Sequence, residues 1–263
     1  MRITLDRYSA SGSPIHLLVP QVKVIGTLLF IITMVALPDG AWLAFGLGWL
    51  ATLAVAALSQ LGLWYGLRRS FIALPFLLAA VTIIFTLPGQ TVFAIPIGGW
   101  VLRATDAGLI RFGSIVLRSW IAVQMAIMLT ATTRFPDLMH ALRHLRVPPL
   151  IVAIVGFMYR YLEVLSDEVF RLLRAREARS AGIAGYRSGG SIAWRAQIVG
   201  NMAGQLFLRS YERSDRIYAA MQARGYAGEF LTINPHHMRK QDWLAVASIM
   251  VTCILLQIVG RTL

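Results

Sequence analysis

Apolar stretches of bilayer-crossing length recur along this chain, and they constrain its fold more than any single motif. A spanning helix needs about 20 mostly apolar residues. The first candidate covers 22–37, with Lys23 at its boundary and Pro38-Asp39-Gly40 stopping it. The second covers 41–66 and contains Trp42, Trp49 and Trp64, and Arg68-Arg69 follows it. Tryptophans near both ends of a span suit the aromatic belts of the two bilayer interfaces. The third covers 71–87, with Pro75 near its start and Pro88-Gly89 at its end. Residues 90–103, apolar but rich in Gly and Pro, read as a loop. The fourth helix starts near Asp106, and its stretch 120–133 is uncharged. Arg111 and Arg118, seven positions apart, share one of its faces. Charges inside a span are costly, so both are expected to face protein or the interface. The fifth candidate covers 243–259.

Composition agrees. The chain is 57% hydrophobic and 14% charged, whereas a soluble domain carries about 25% charged residues. Its formal net charge is +13, from 25 Lys and Arg against 12 Asp and Glu. Basic residues gather in cytoplasmic loops of membrane proteins, so no nucleic-acid partner is expected. If the N-terminus, Arg68-Arg69 and the basic middle of the chain lie inside, spans one to four alternate. The segments 38–40 and 90–100, almost free of Lys and Arg, then fall outside, as does the C-terminus. The first 13 residues are polar and mixed in charge, without the basic-then-apolar pattern of a cleaved signal. Insertion is expected to use the first apolar helix. Cys253 is the single cysteine, so there is neither an intrachain disulfide nor a Cys-based metal site.

Residues 134–229 differ from the rest. They are arginine-rich, helix-forming and amphipathic. Pro136 opens a short helix that ends before Pro148-Pro149. A long helix over 149–181 follows, apolar over 150–162 and charged over 163–179. Asp167 and Arg171 are spaced for an i,i+4 pair within it. After a loop at 182–190, a second long helix covers 191–224. Phe207, Tyr211, Tyr218 and Met221 form one stripe on that helix, with Arg209, Arg213 and Arg216 away from it. The expected organisation is an all-α polytopic membrane protein with about five transmembrane helices: four within 1–133, a cytoplasmic helical region at 134–229, and a last span within 230–263.

Two tripeptides stand out. Ala178-Arg179-Ser180 closes the first long helix, and Ala223-Arg224-Gly225 closes the second. Small neighbours leave each guanidinium uncovered. Arginine presents a rigid fork of donors suited to carboxylates and carbonyls, so two such ends could dock on a partner. Ordinary C-capping, with Arg in the last turn and Gly after it, accounts for the same pattern. Spacing alone leaves both readings open.

Several segments resemble the cobalt (CbiQ) branch of the transmembrane T subunits of energy-coupling-factor (ECF) transporters. They are Leu5-Asp6-Arg7-Tyr8, Ser13-Pro14-Ile15-His16, Pro20-Gln21-Val22-Lys23, Phe135-Pro136-Asp137-Leu138, Ala141-Leu142-Arg143, Val147-Pro148 and Tyr159-Arg160-Tyr161. The most specific are Arg209-Ser210-Tyr211-Glu212-Arg213 and Ala220-Met221-Gln222-Ala223-Arg224-Gly225-Tyr226. The resemblance implies a subunit of the bacterial or archaeal cytoplasmic membrane with no catalytic site and no cofactor. It would join a substrate-capture membrane subunit (CbiM-like) to two ATP-binding cassette ATPases (CbiO-like). By position, Arg179 and Arg224 would end the coupling helices that seat in the ATPases, and the stripe from Phe207 to Met221 would lie at a subunit interface. Ser180 departs from the family's usual Gly, and Gln21 from its frequent Arg. Nickel and vitamin branches share the motifs.

Other chemistry is poorly served. His140 and His144 have metal-ligand spacing, with Asp137 one turn earlier, but Arg143 and Arg146 would repel a divalent cation. His236-His237 reads as loop. The chain has no Walker lysine motif, Gly-rich phosphate loop or HExxH, so ATP hydrolysis would come from another chain. An intramembrane enzyme needs converging ionisable residues within the spans, and a self-sufficient carrier needs polar or acidic residues there. Spans one, two, three and five have essentially no ionisable residue in their interiors.

Overall fold

The computed structural model describes residues 8–9, 11–73, 75, 78, 80–97, 100–179, 191–226, 228 and 238–262. The described residues divide into two compact units, one within 145–234 and one within 6–144 and 235–263.

The larger unit is built of helices. A four-residue turn of helix, α1 (Pro14–Leu17), leads into α2 (Pro20–Val35) and α3 (Trp42–Leu58). Next come α4 (Leu63–Ser70), a 3-10 turn (Phe71–Ala73) and α5 (Ile83–Thr86). A hairpin of β1 (Thr91–Ile97) and β2 (Trp100–Thr105) precedes α6 (Asp106–Thr132) and α7 (Phe135–His144). The last helix of the chain, α10 (Lys240–Thr262), returns to this unit. Its core joins Phe30, Met34 and Leu37 to Ala44 and Phe45 of α3, Ile121 of α6, and Cys253 and Leu256 of α10. Small residues allow close approach: a side chain at Gly26 would meet Ile249, and one at Gly260 would meet Leu37.

The second unit contains α8 (Pro149–Arg179) and α9 (Ile192–Ala223). Among the described residues, α6, α8 and α10 are long and apolar enough to cross a membrane, and α2 and α3 are shorter apolar helices. The protein is an all-α membrane protein. The apolar first half of α8 makes it a candidate span, although the sequence placed all of 149–181 in the cytoplasmic region.

Three sequence expectations need correction. The helix expected over 41–66 ends at Leu58, because Gln60 (φ 56°) and Gly62 (φ 83°) are left-handed. Backbone of that hand cannot continue a right-handed helix. The helix expected over 71–87 is interrupted rather than continuous: the 3-10 turn opens it, Pro75, Leu78 and Ala80 are helical, and α5 follows only after a turn at 81–82. Val81, Ile84 and Phe85 donate to the carbonyl three residues back, the tighter 3-10 pattern, and Pro75 has no N–H to offer a continuous helix. The segment 90–103, read as a loop, contributes to an antiparallel hairpin in which Ile95 pairs with Leu102 and Pro96 with Val101. Its β-branched and aromatic residues favour strand, and a two-stranded ribbon consists of edge strands, where proline is tolerated.

Candidate functional site

Both expected coupling arginines stand at helix ends. Arg179 is the last residue of α8; like Ala178 it is exposed, and Ser180 lies outside the described residues. Ala223 ends α9 and Arg224 is its C-cap. The Gly225 N–H donates to the Gln222 carbonyl and the Tyr226 N–H to the Met221 carbonyl, each at 3.0 Å. Gly225 sits at φ 80°. This is a Schellman cap, whose left-handed residue favours glycine. Gly225 thus has a full conformational explanation, whereas the cap does not dictate the identity of Arg224. Ala223, Arg224 and Gly225 are all exposed.

Within this unit the buried Glu168 of α8 accepts hydrogen bonds from Arg209 of α9 at 2.7 Å and from Arg171. Arg171 reaches Glu168 three residues back, not Asp167 as the sequence suggested. An i,i+3 partner is as close on a helix face as an i,i+4 one, and Glu168 is already held by Arg209. The Arg209 hydrogen bond, with Arg171 assisting, keeps the Glu168 carboxyl below the usual carboxylate range. Arg209 lies on the opposite side of α9 from the aromatic stripe. Pairing it with α8 turns Phe207 (68% exposed), Tyr211 (61%) and Tyr218 (56%) away from that helix. Met221 is half-buried.

The larger unit contains a clasp that sequence reasoning missed. Tyr8 and two family-like motifs, Ser13–His16 and Pro20–Lys23, meet the ends of α6 and α10 there. The Ser9 N–H donates to the Ala131 carbonyl at 3.1 Å. Lys23 donates to the carbonyls of His16 and Thr132, both at 3.1 Å. Tyr8 packs edge-on against His16 and lies under the Arg134 guanidinium at 4.8 Å. His16 Nε2 lies 2.9 Å from the Ser9 carbonyl, and Nδ1 lies 2.6 Å from Ser13 Oγ and 2.9 Å from Ser11 Oγ. A carbonyl only accepts, so Nε2 carries a proton, and a neutral ring then accepts at Nδ1. Burial lowers the His16 pKa below its ordinary value, with Lys23 adding to the effect against the Ser9 hydrogen bond. The buried Asp242 completes the clasp by accepting from the Val19 and Arg239 N–H groups at 3.0 and 2.7 Å. An Asp three residues into a helix that accepts the N-cap N–H is half of a capping box. A lone Asp before an apolar run was the available signal.

At the other end of these helices, Arg118 donates to the Leu37 carbonyl at 2.8 Å and pairs with Asp39 at 3.2 Å, while Arg111 lies 3.7 Å from Asp39. Arg118 faces protein, whereas Arg111 is exposed and reaches only the edge of the same carboxylate. His144 Nδ1 lies 3.2 Å from the His140 carbonyl, and no cluster of three potential metal ligands occurs among the described residues.

Apolar helices packed through small residues, followed by paired helices with charged ends, define a multi-pass membrane subunit. The CbiQ family, described as cobalt transport protein, matches residues 11–233. The chain belongs to this family of ECF transporter transmembrane components. It is 26% identical to the energy-coupling factor transporter transmembrane protein EcfT of Lacticaseibacillus paracasei, over 95% of this chain and 96% of that one. It is 28% identical to the cobalt transport protein CbiQ of Salmonella typhimurium, over 86% and 98%. It is 27% identical to the nickel permease LarQ of Lactiplantibacillus plantarum, over 90% and 76%.

Proposed function

We propose that this chain is the non-catalytic T subunit of a cobalt importer in a bacterial or archaeal cytoplasmic membrane, with the arginine ends of α8 and α9 on the cytoplasmic side. Arg179 and Arg224 each dock on one of two ATPase copies. ATP-driven motion of the ATPases changes the angle between α8 and α9 and is passed to a substrate-capture subunit. The observation that carries the cobalt reading is the match to the cobalt transport family over 11–233, supported by the likeness to the Salmonella protein. The exposed arginines at two helix ends support the docking role. Two similar ends on different helices suit two related grooves better than one flat surface. The exposed stripe of Phe207, Tyr211 and Tyr218, with Met221 beside it, adds an apolar contact. The likeness to LarQ keeps nickel as a second reading, and a vitamin is a third substrate.

The test is uptake of radiolabelled cobalt by cells that lack their own importer and express this chain with its ATPases and capture subunit. Cobalt accumulation that stops in the Arg179→Ala, Arg224→Ala double variant is the expected result. Accumulation of nickel in place of cobalt replaces the substrate reading, and undiminished uptake by the double variant removes the docking role.

A further inference from the structure

Between α2, α3, α6 and α10, beneath the short helix α1, lies a cavity of about 530 Å³. Its walls are mostly apolar, with Leu18, Met125, Met128 and Ile249 among them, and Lys23 and Ser248 bring polar atoms to it. Among the described residues, the Lys23 ammonium bonds to two neutral carbonyls, those of His16 and Thr132. An ammonium has three donors, so one remains. Asp137 and Asp242 are near enough to act on Lys23 through space, but Asp242 gives both its oxygens to backbone N–H groups. Among the described residues Lys23 therefore has no bonded anion, and it stands at the edge of an apolar hole.

The position of the cavity indicates what anion a membrane would supply. It sits where α2 and α10 begin and α6 ends, the end marked by Lys23, Arg134, Arg239 and Lys240. The opposite end carries Arg111, Arg118 and Arg261, the first two paired with Asp39. The excess of Lys and Arg assigns the first end to the cytoplasmic leaflet, where anionic lipids concentrate. Basic pockets between spanning helices on that side suit anionic headgroups. We propose that this cavity holds an anionic phospholipid of the inner leaflet, with its phosphate on Lys23 and an acyl chain along the Met125, Met128 and Ile249 wall. The site rests on the membrane placement of these helices and is independent of the transported substrate.

The test is native mass spectrometry of the detergent-purified chain titrated with phosphatidylglycerol or phosphatidylcholine. The wild type should retain phosphatidylglycerol about five-fold more strongly, the effect of one lysine facing an anionic surface. Lys23→Gln should bring the two lipids to parity, and Lys23→Arg, which keeps the charge, should preserve the preference. Ala245→Phe, which fills the cavity from α10 and leaves Lys23 in place, should reduce retention of both lipids. Equal retention in the wild type, a preference that survives Lys23→Gln, or retention unaffected by Ala245→Phe would each overturn the proposal. So would loss of bound lipid when the capture subunit is co-expressed, because the cavity would then receive protein.

Discussion

The Asp242 carboxylate accepts the Val19 N–H at 3.0 Å, joining the N-termini of α2 and α10 across 223 positions of sequence. Both residues are buried, and the second carboxylate oxygen accepts the N-cap N–H of α10 from Arg239. The family match ends at residue 233, so this contact ties a helix outside the matched region to one inside it. Asp242→Ala leaves the buried Val19 N–H without a partner, a loss of about 1–3 kcal/mol. Thermal melting in detergent should show the drop, with Asp242→Asn losing less because its amide oxygen still accepts one of the two bonds. An unchanged melting temperature in Asp242→Ala would count against the clasp.

Gly108→Ala should be costly although alanine is the better helix former. A Cβ there would stand 2.6 Å from the backbone oxygen of Ile84 and 2.9 Å from its Cα. Backbone cannot swing aside as a side-chain tip can, so overpacking of about 1–3 kcal/mol is expected. Gly46→Ala is the control, since nothing lies within 4 Å of its Cβ position. Comparing the two melting curves tests the close approach of α5 to α6.

Gly225→Ala and Arg224→Ala should separate capping from docking. Alanine at φ 80° costs about 1–2 kcal/mol of left-handed strain and should fray the end of α9 in hydrogen exchange. Arg224→Ala keeps the Schellman hydrogen bonds, which are all backbone, and should leave exchange unchanged while ATPase pull-down falls. A desolvated arginine seated against carboxylates costs roughly 2–5 kcal/mol when truncated. If Arg224→Ala binds ATPase normally, Arg224 does not seat in the ATPase.

The His16 cluster should weaken on acidification. Its folded pKa is lowered by burial, so the neutral ring is favoured in the folded state. That contribution is complete above the ordinary histidine pKa of about 6.5 and is lost as pH falls through the lower folded value. Amide protection at Ser9 and Lys23, taken relative to the intrinsic exchange rate at each pH, should therefore fall between pH 7.5 and pH 5. His16→Gln should flatten the pH response, and an unchanged response would assign it to another group.

Membrane character, the approximate ends of α6, α8, α9 and α10, and the basic, charged-ended middle of the chain could all be read locally. Apolar run length, proline positions and arginine spacing act within a few residues of one another. Burial costs then leave an apolar helix little choice but the bilayer. The helix-ending arginines and the aromatic stripe were equally visible, although their roles depend on partners beyond this chain. The tertiary structure decided the rest. Gln60 breaks α3 early in a left-handed conformation that its identity does not signal. The strands at 91–105 form because each supplies the other's hydrogen bonds, which neither can do alone. Glu168 displaces Asp167 as the partner of Arg171 because Arg209 arrives from another helix. Asp242 reads as an ordinary first-turn carboxylate until Val19 meets it. Each outcome depends on a partner distant in sequence, and only the folded chain brings such partners within hydrogen-bond reach.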